Sequence, residues 1–105
     1  MLIQVNTDNN IEGDNALTQE VETVVRETLD RFSEHITRVE VHLSDENSAS
    51  KVGANTTRCL LEARLAGRQP VAVSDQASTV AQAVDGAADK MKRMLVSTLG
   101  RLEDQ

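Results

Sequence analysis

The stretch "ITRVEVHL", residues 36–43, alternates between apolar and polar side chains from Arg38 onward. One side of an extended chain would carry its apolar members: Val39, Val41 and Leu43. The other side would carry its polar members: Arg38, Glu40 and His42. A period of two residues is typical of a strand with one buried and one solvent-facing side. The stretch therefore predicts a sheet that is covered on one face only.

One further strand is predicted before this one and two after it. In "LIQVN", residues 2–6, Ile3 and Val5 share one face. After the polar loop "SDENSASKVGAN", residues 44–55, a third strand sets Cys59, Leu61, Ala63 and Leu65 against Arg58, Leu60, Glu62 and Arg64. The short turn at Gly67 then predicts a hairpin to "PVAVS", with Pro70 at the strand start, where a missing N–H does least harm.

Two amphipathic helices fill the remaining segments. Asp14 is a candidate N-cap for the first, whose apolar stripe is Leu17, Val21, Val24, Val25, Thr28, Leu29 and Phe32. Ser78 or Thr79 is a candidate N-cap for the second, whose stripe is Val80, Val84, Ala87, Met91, Leu95, Thr98 and Leu102. Both stripes are one-sided, which indicates helices that pack on the sheet.

The predicted fold class is α+β, with the element order β-α-β-β-β-α. A right-handed crossover would make the first two strands parallel, and both helices would cover one face of a four-stranded sheet. We expect Val21, Val41, Leu61 and Val84 to share the core. The 105 residues suit a single domain, 1–105.

Composition excludes several classes of protein. With 39% hydrophobic and 27% charged residues the chain is typical of a globular protein, and no apolar run is long enough to span a bilayer. The start, "MLIQVNTDNN", has neither a basic region nor a long apolar region of a secretory signal, so a cytoplasmic location is expected. Cys59 is the single cysteine and is interpreted as a small buried hydrophobe.

Residue patterns of catalysis or metal binding are not found. His35 and His42 lack a second ligand at metal spacing, and Ser, His and Asp occur without a nucleophile elbow. Gly86 and Gly100 lack the glycine spacing of a phosphate-binding loop. We expect no enzymatic activity, no metal, no cofactor and no small-molecule substrate.

Basic residues concentrate at one end of the second helix. The window 90–101 carries a charge of +4, which leaves −10 on the rest of a chain whose net charge is −6. At about 100° per residue, Lys90, Arg93, Ser97 and Arg101 share one stripe, and Lys92 lies on the far side. Such a stripe could follow a phosphate backbone. Cations near a helix C-terminus also complement the helix dipole, which requires no partner.

The segment "AVDGAADKM", residues 83–91, resembles Ala-Ile-Asp-x-Ala-x-Asp-Lys-Leu of the ribosome hibernation-promoting factors, also called ribosome-associated inhibitors or sigma-54 modulation proteins. Arg93 and Leu95 continue the resemblance. Weaker similarities occur at "IEGDNAL", residues 11–17, at "VEVHLSDE", residues 39–46, and at the Gly67 hairpin.

This resemblance implies a fold like that of double-stranded-RNA-binding domains. It also implies binding to the rRNA of the small ribosomal subunit where messenger and transfer RNA pass, and silencing of idle ribosomes by occupancy. The rRNA-binding residues carried over from the family are Lys90 and Arg93, and Lys92 and Arg101 join them as neighbours in the basic window. The dimerisation domain of long family members has no counterpart in this sequence, so a short form is implied.

The chain also departs from the family pattern. Val24 and Glu27 occupy first-helix positions where members carry lysine or arginine, and Arg26 is expected to pair with Glu22 and Asp30. Phe32 is the only aromatic residue, which removes stacking on unpaired bases. An alternative interpretation is a divergent member that has lost the ribosome and binds a protein partner through the exposed sheet face or the acidic surface.

Overall fold

The computed structural model describes residues 1–8, 11, 13–45 and 57–103, the side chains of 100–103 excepted. Its elements are β1 (Leu2–Thr7), α1 (Asn15–Leu29), β2 (Ile36–Asp45), β3 (Thr57–Leu65), β4 (Val71–Ala77) and α2 (Val80–Glu103), with one 3-10 turn at Asp30–Phe32. The predicted α+β order is confirmed. The loop predicted over residues 44–55 lies outside the described residues, except for Ser44 and Asp45, which end β2.

The sheet has the order β1-β2-β3-β4. β1 and β2 are parallel, as the crossover through α1 requires, and the other neighbours are antiparallel. Alternation is clearest in β3, where every second side chain from Thr57 to Leu65 is buried. One face of the sheet therefore supplies the core and the other meets solvent.

Both helices pack on the buried face. The predicted core residues Val21, Val41, Leu61 and Val84 are each at most 3% exposed and belong to one cluster. α2 buries a wider stripe than its spacing predicted, because it packs against α1 as well as β3 and β4. Beyond the predicted positions, that stripe includes Ala83, Ala88 and Leu99.

Local side chains fix where the elements begin and turn. The Asp14 carboxylate accepts from the backbone N–H of Leu17 at 2.8 Å, which confirms the predicted N-cap of α1. For α2, the Thr79 hydroxyl accepts from the N–H of Gln82 at 3.1 Å, so Thr79 is the cap. Gly67 turns the β3–β4 hairpin with a φ of +70°, a conformation that favours glycine.

β4 differs from its prediction at both ends. It begins at Val71, directly after Pro70, and continues past Ser74 to Ala77. The extension keeps β4 paired with the first residues of β3, so that Asp75 lies opposite Cys59. Alternation along β4 turns Asp75 toward the helices, where an apolar side chain would be expected. The predicted strand ends at Ser74, before this carboxylate, whereas the observed strand continues to Ala77.

Candidate nucleic-acid interface

α2 places three of the four predicted basic residues on its solvent-facing surface. Lys90, Lys92 and Arg93 are exposed, whereas the side chain of Arg101 lies outside the described part of the helix. Lys90 and Arg93 are three residues apart and share one side of α2. The helix turns by about 200° between Lys90 and Lys92, so Lys92 points elsewhere. The three cations differ more in their partners than in their exposure.

Lys90 is bound to the neighbouring strand. Its ammonium Nζ donates to the backbone carbonyl of Ser74 at 3.0 Å and to Oδ1 of Asp75 at 3.1 Å. The Lys90 side chain is 45% exposed and that of Asp75 is 28% exposed. This contact joins α2 to β4 and neutralises a cation that the sequence assigned to phosphate binding.

Gly86 makes room for this contact. A Cβ atom on Gly86 would stand 1.7 Å from Oδ2 of Asp75, well inside van der Waals contact. Gly86 lies one helical turn before Lys90, so one oxygen of the carboxylate rests over the glycine and the other meets the ammonium. A glycine inside a helix costs about 1 kcal/mol relative to alanine. The close approach of Asp75 is the structural reason for it.

Arg93 and Lys92 are held less firmly. Arg93 pairs with Asp89 at 3.3 Å, four residues earlier on the same helix, and both side chains are more than 60% exposed. Such surface pairs contribute about 0.3–0.5 kcal/mol and separate easily. Lys92 forms no hydrogen bond or ion pair with any residue that the structure describes.

The surface of α1 is acidic where related proteins are expected to be basic. Glu20 and Glu27 are exposed, and Val24 is half-buried. Arg26 donates to the backbone carbonyl of Met1 at 3.4 Å. The expected pairing of Arg26 with Glu22 and Asp30 is absent from the ion pairs of the described residues, because the guanidinium reaches the chain start instead. α1 therefore offers no cluster of cations.

The solvent-facing side of the sheet carries charges of both signs. Arg38 pairs with Glu40 at 3.5 Å and Arg64 with Glu62 at 3.9 Å. Arg38 also donates to the side-chain oxygen of Gln4 across the β1–β2 pair. These contacts leave the face close to neutral and mixed in sign, which makes it a poorer surface for a polyanion than α2.

In the described part of the chain, no group of three or more His, Cys, Asp or Glu side chains could hold a metal ion. None of its helices combines the length and apolar character needed to cross a membrane. Cys59 is fully buried in β3. Burial, reinforced by the Asp75 carboxylate, raises the pKa of its thiol from 9.0 to about 12.

Because the thiolate is the reactive form, we expect folded Cys59 to resist alkylation by iodoacetamide at about pH 8. The raised pKa also sets a pH dependence of stability. Ionisation of Cys59 should leave the free energy of unfolding unchanged below about pH 9. Between about pH 9 and 12 that free energy should fall, since only the unfolded chain loses the thiol proton in this range. Mass spectrometry of native and denatured samples measures the alkylation. Rapid modification of the folded chain would contradict the buried position.

Comparison with known proteins places this architecture in a family. The sequence profile described as "Sigma 54 modulation protein / S30EA ribosomal protein" matches residues 4–103. No curated protein sequence matches significantly.

Two solved structures share the fold. The Protein Y N-terminal domain of Thermus thermophilus is 23% identical, with a TM-score of 0.71 over 90% of this chain and 96% of that chain. A ribosomal subunit interface protein from Coxiella burnetii is 14% identical, with a TM-score of 0.70 over 95% of this chain and 99% of that chain. At these identities the likeness concerns the fold. The profile match spans almost the whole sequence, and the chain belongs to the sigma-54 modulation protein and S30EA ribosomal protein family.

Proposed function

We propose that this chain is a cytoplasmic, ribosome-associated factor that binds rRNA of the small subunit and silences idle ribosomes by occupancy, without catalysis. The observation that carries the proposal is the exposed basic end of α2 on the fold of this family. The subunit-interface description of the Coxiella protein points in the same direction. The contact residues proposed are Lys90, Lys92, Arg93 and Arg101.

These residues are not equally available. Lys92 has no partner among the described residues, and Arg93 gives up only an exposed pair with Asp89. Arg101 adds a third cation from the same window. Lys90 must first leave Asp75 and Ser74. Lys92 and Arg93 are therefore available at little cost, and with Arg101 they give about three proposed phosphate contacts. They act against the −10 charge carried outside residues 90–101.

Co-sedimentation with purified small ribosomal subunits tests the proposal. Since each phosphate contact releases counterions, about three contacts should give a log–log slope of affinity against salt of roughly −2 to −3. Purified large subunits serve as the control for binding to rRNA in general, and should retain less protein. Addition of the chain to a cell-free translation reaction should lower the yield in proportion to subunit occupancy.

A protein-binding role is the second candidate. The first turns of α1 and α2 enclose a mainly apolar cleft of about 560 Å³, with Leu17, Val24 and Val80 among its lining residues. The acid Glu20 stands in the same lining. In the co-sedimentation experiment, this role predicts no binding to subunits even at low salt, or binding that does not change with salt. Either result would overturn the rRNA contact proposed for α2.

A further inference from the structure

We propose that the Asp75 carboxylate competes with RNA phosphate for the Lys90 ammonium. It holds Lys90 where a phosphate would otherwise bind, and so lowers the affinity of α2 for the phosphate backbone of RNA. The inference rests on the proposed function, because it concerns the same basic surface. It assigns the control of that surface to a strand residue outside the basic window.

Two of the three donors of Lys90 are already in use. A lysine ammonium has three N–H groups, and at Lys90 two of them are directed to the Ser74 carbonyl and Asp75 Oδ1. A phosphate oxygen carries the same kind of charge as the carboxylate and favours the same ammonium. RNA therefore gains full use of Lys90 only by displacing Asp75.

Departure of Lys90 leaves the Asp75 carboxylate without its cation. Asp75 points from β4 toward the helices, with Oδ2 in the space over Gly86 and with buried Cys59 opposite in the strand register. Its side chain is only 28% exposed. When Lys90 leaves, this half-buried carboxylate loses its cation, which costs free energy. That cost makes the free energy of RNA binding less favourable.

The pair of Asp89 and Arg93 on the same helix is more exposed than the pair of Asp75 and Lys90. Asp89 holds Arg93 in a pair whose partners are 62% and 69% exposed, so Asp89 returns to water when RNA takes Arg93. Separation of that pair costs little. Among the described residues, the two acids that pair with α2 cations thus differ in burial. Of these two, Asp75 is the one that opposes RNA binding, and we call this effect the brake.

The test compares Asp75→Asn with Asp85→Asn. Each variant removes one negative charge, but exposed Asp85 pairs with no residue that the structure describes. Small-subunit affinity of Asp75→Asn should exceed that of Asp85→Asn about three- to tenfold at low salt, as for one added charge contact. Its log–log salt slope should be steeper by about 0.7–0.9, one further counterion. Equal affinities and slopes would overturn the proposal.

A double-mutant cycle separates release of Lys90 from a general effect of charge. Lys90→Gln should lower affinity less in the wild-type chain, where Asp75 holds the ammonium, than in the Asp75→Asn background, where the ammonium is released. In the Asp75→Asn background the same substitution should remove the gain. If Lys90→Gln costs the same in both backgrounds, Asp75 does not compete for Lys90.

A second route to the same contact guards against loss of fold. Gly86→Ala keeps the Asp75 charge but places a Cβ where Oδ2 lies, so the carboxylate must move, and we expect its contact with Lys90 to weaken. Thermal unfolding identifies which variants are folded. Folded Gly86→Ala should also bind subunits more tightly than wild type, and unchanged binding with the Lys90 contact broken would count against the brake.

A short A-form RNA duplex distinguishes this inference from the proposed ribosomal target. In one outcome, subunits fail to bind while the duplex binds Asp75→Asn more tightly than Asp85→Asn. That result would support competition by Asp75 and would overturn the small subunit as the target. If both variants bind the duplex equally, or if neither binds it at low salt, the brake is overturned. If wild type binds subunits while both variants bind the duplex equally, the proposed function stands and only the competition by Asp75 is overturned.

Discussion

Replacement of Leu61 by alanine is expected to lower the free energy of unfolding by about 2–5 kcal/mol, through lost burial and the cavity left behind. Leu61 is fully buried in β3, at the centre of the core between the sheet and both helices. For a domain of about this size, that loss lowers the melting temperature by at least about 8 °C. Calorimetry or denaturant titration measures the change.

Leu60→Ala is the matched control, because it removes the same atoms one residue earlier in the same strand. Leu60 lies on the solvent-facing side of the sheet and is half-buried. The expected loss is about 1 kcal/mol, since much of the side chain is already hydrated. Equal losses for Leu61→Ala and Leu60→Ala would contradict a sheet with helices on one face.

The second large effect is expected on binding. Neutralisation of Lys92, Arg93 and Arg101 with glutamine should abolish co-sedimentation with small ribosomal subunits at the salt concentration where wild type is half bound. The variant loses three of the four proposed contact cations, and with them the proposed steep salt dependence. Lys90 is left in place because Asp75 and Ser74 already hold its ammonium.

The control for that experiment removes the same number of charges elsewhere. Arg26, Arg31 and Arg64 lie on other elements, and their replacement by glutamine also takes the net charge from −6 to −9. This variant should keep most of its affinity, and both variants should melt close to wild type because exposed charges shift stability by about 0.5 kcal/mol or less. The same fall in binding for both would show that net charge, rather than a contact surface on α2, governs association.

The strands and the turn were predictable because each depends on neighbours in sequence. Alternation in residues 36–43 assigned the buried and exposed sides of β2 correctly, and Gly67 marked the hairpin. The N-cap of α2 was predicted as one of two residues, and only the structure distinguishes them. Thr79 caps the backbone, whereas the Ser78 hydroxyl donates to the side chain of Gln82.

The partner of Lys90 was not predictable from spacing. Asp75 is fifteen residues away, and its inward direction depends on how far β4 continues beside β3. Apolar alternation cannot report a strand position that carries a charge. The one available signal was Gly86, since a glycine inside a helix often marks a close approach of another group. The proposed contact residues of α2 stay a prediction that the binding experiments decide.

The contact between Lys90 and the main chain of β4 also bears on self-association. Among the strands that the structure describes, β4 has a neighbour on one side only, so its other side could recruit the edge of a second sheet. Lys90 covers the Ser74 carbonyl on this strand, and Asp75 adds a charge directed inward, two features by which natural sheets resist such pairing. RNA binding to Lys90, as proposed above, would also uncover this carbonyl, so the contact that limits RNA binding would protect the strand edge of the RNA-free protein.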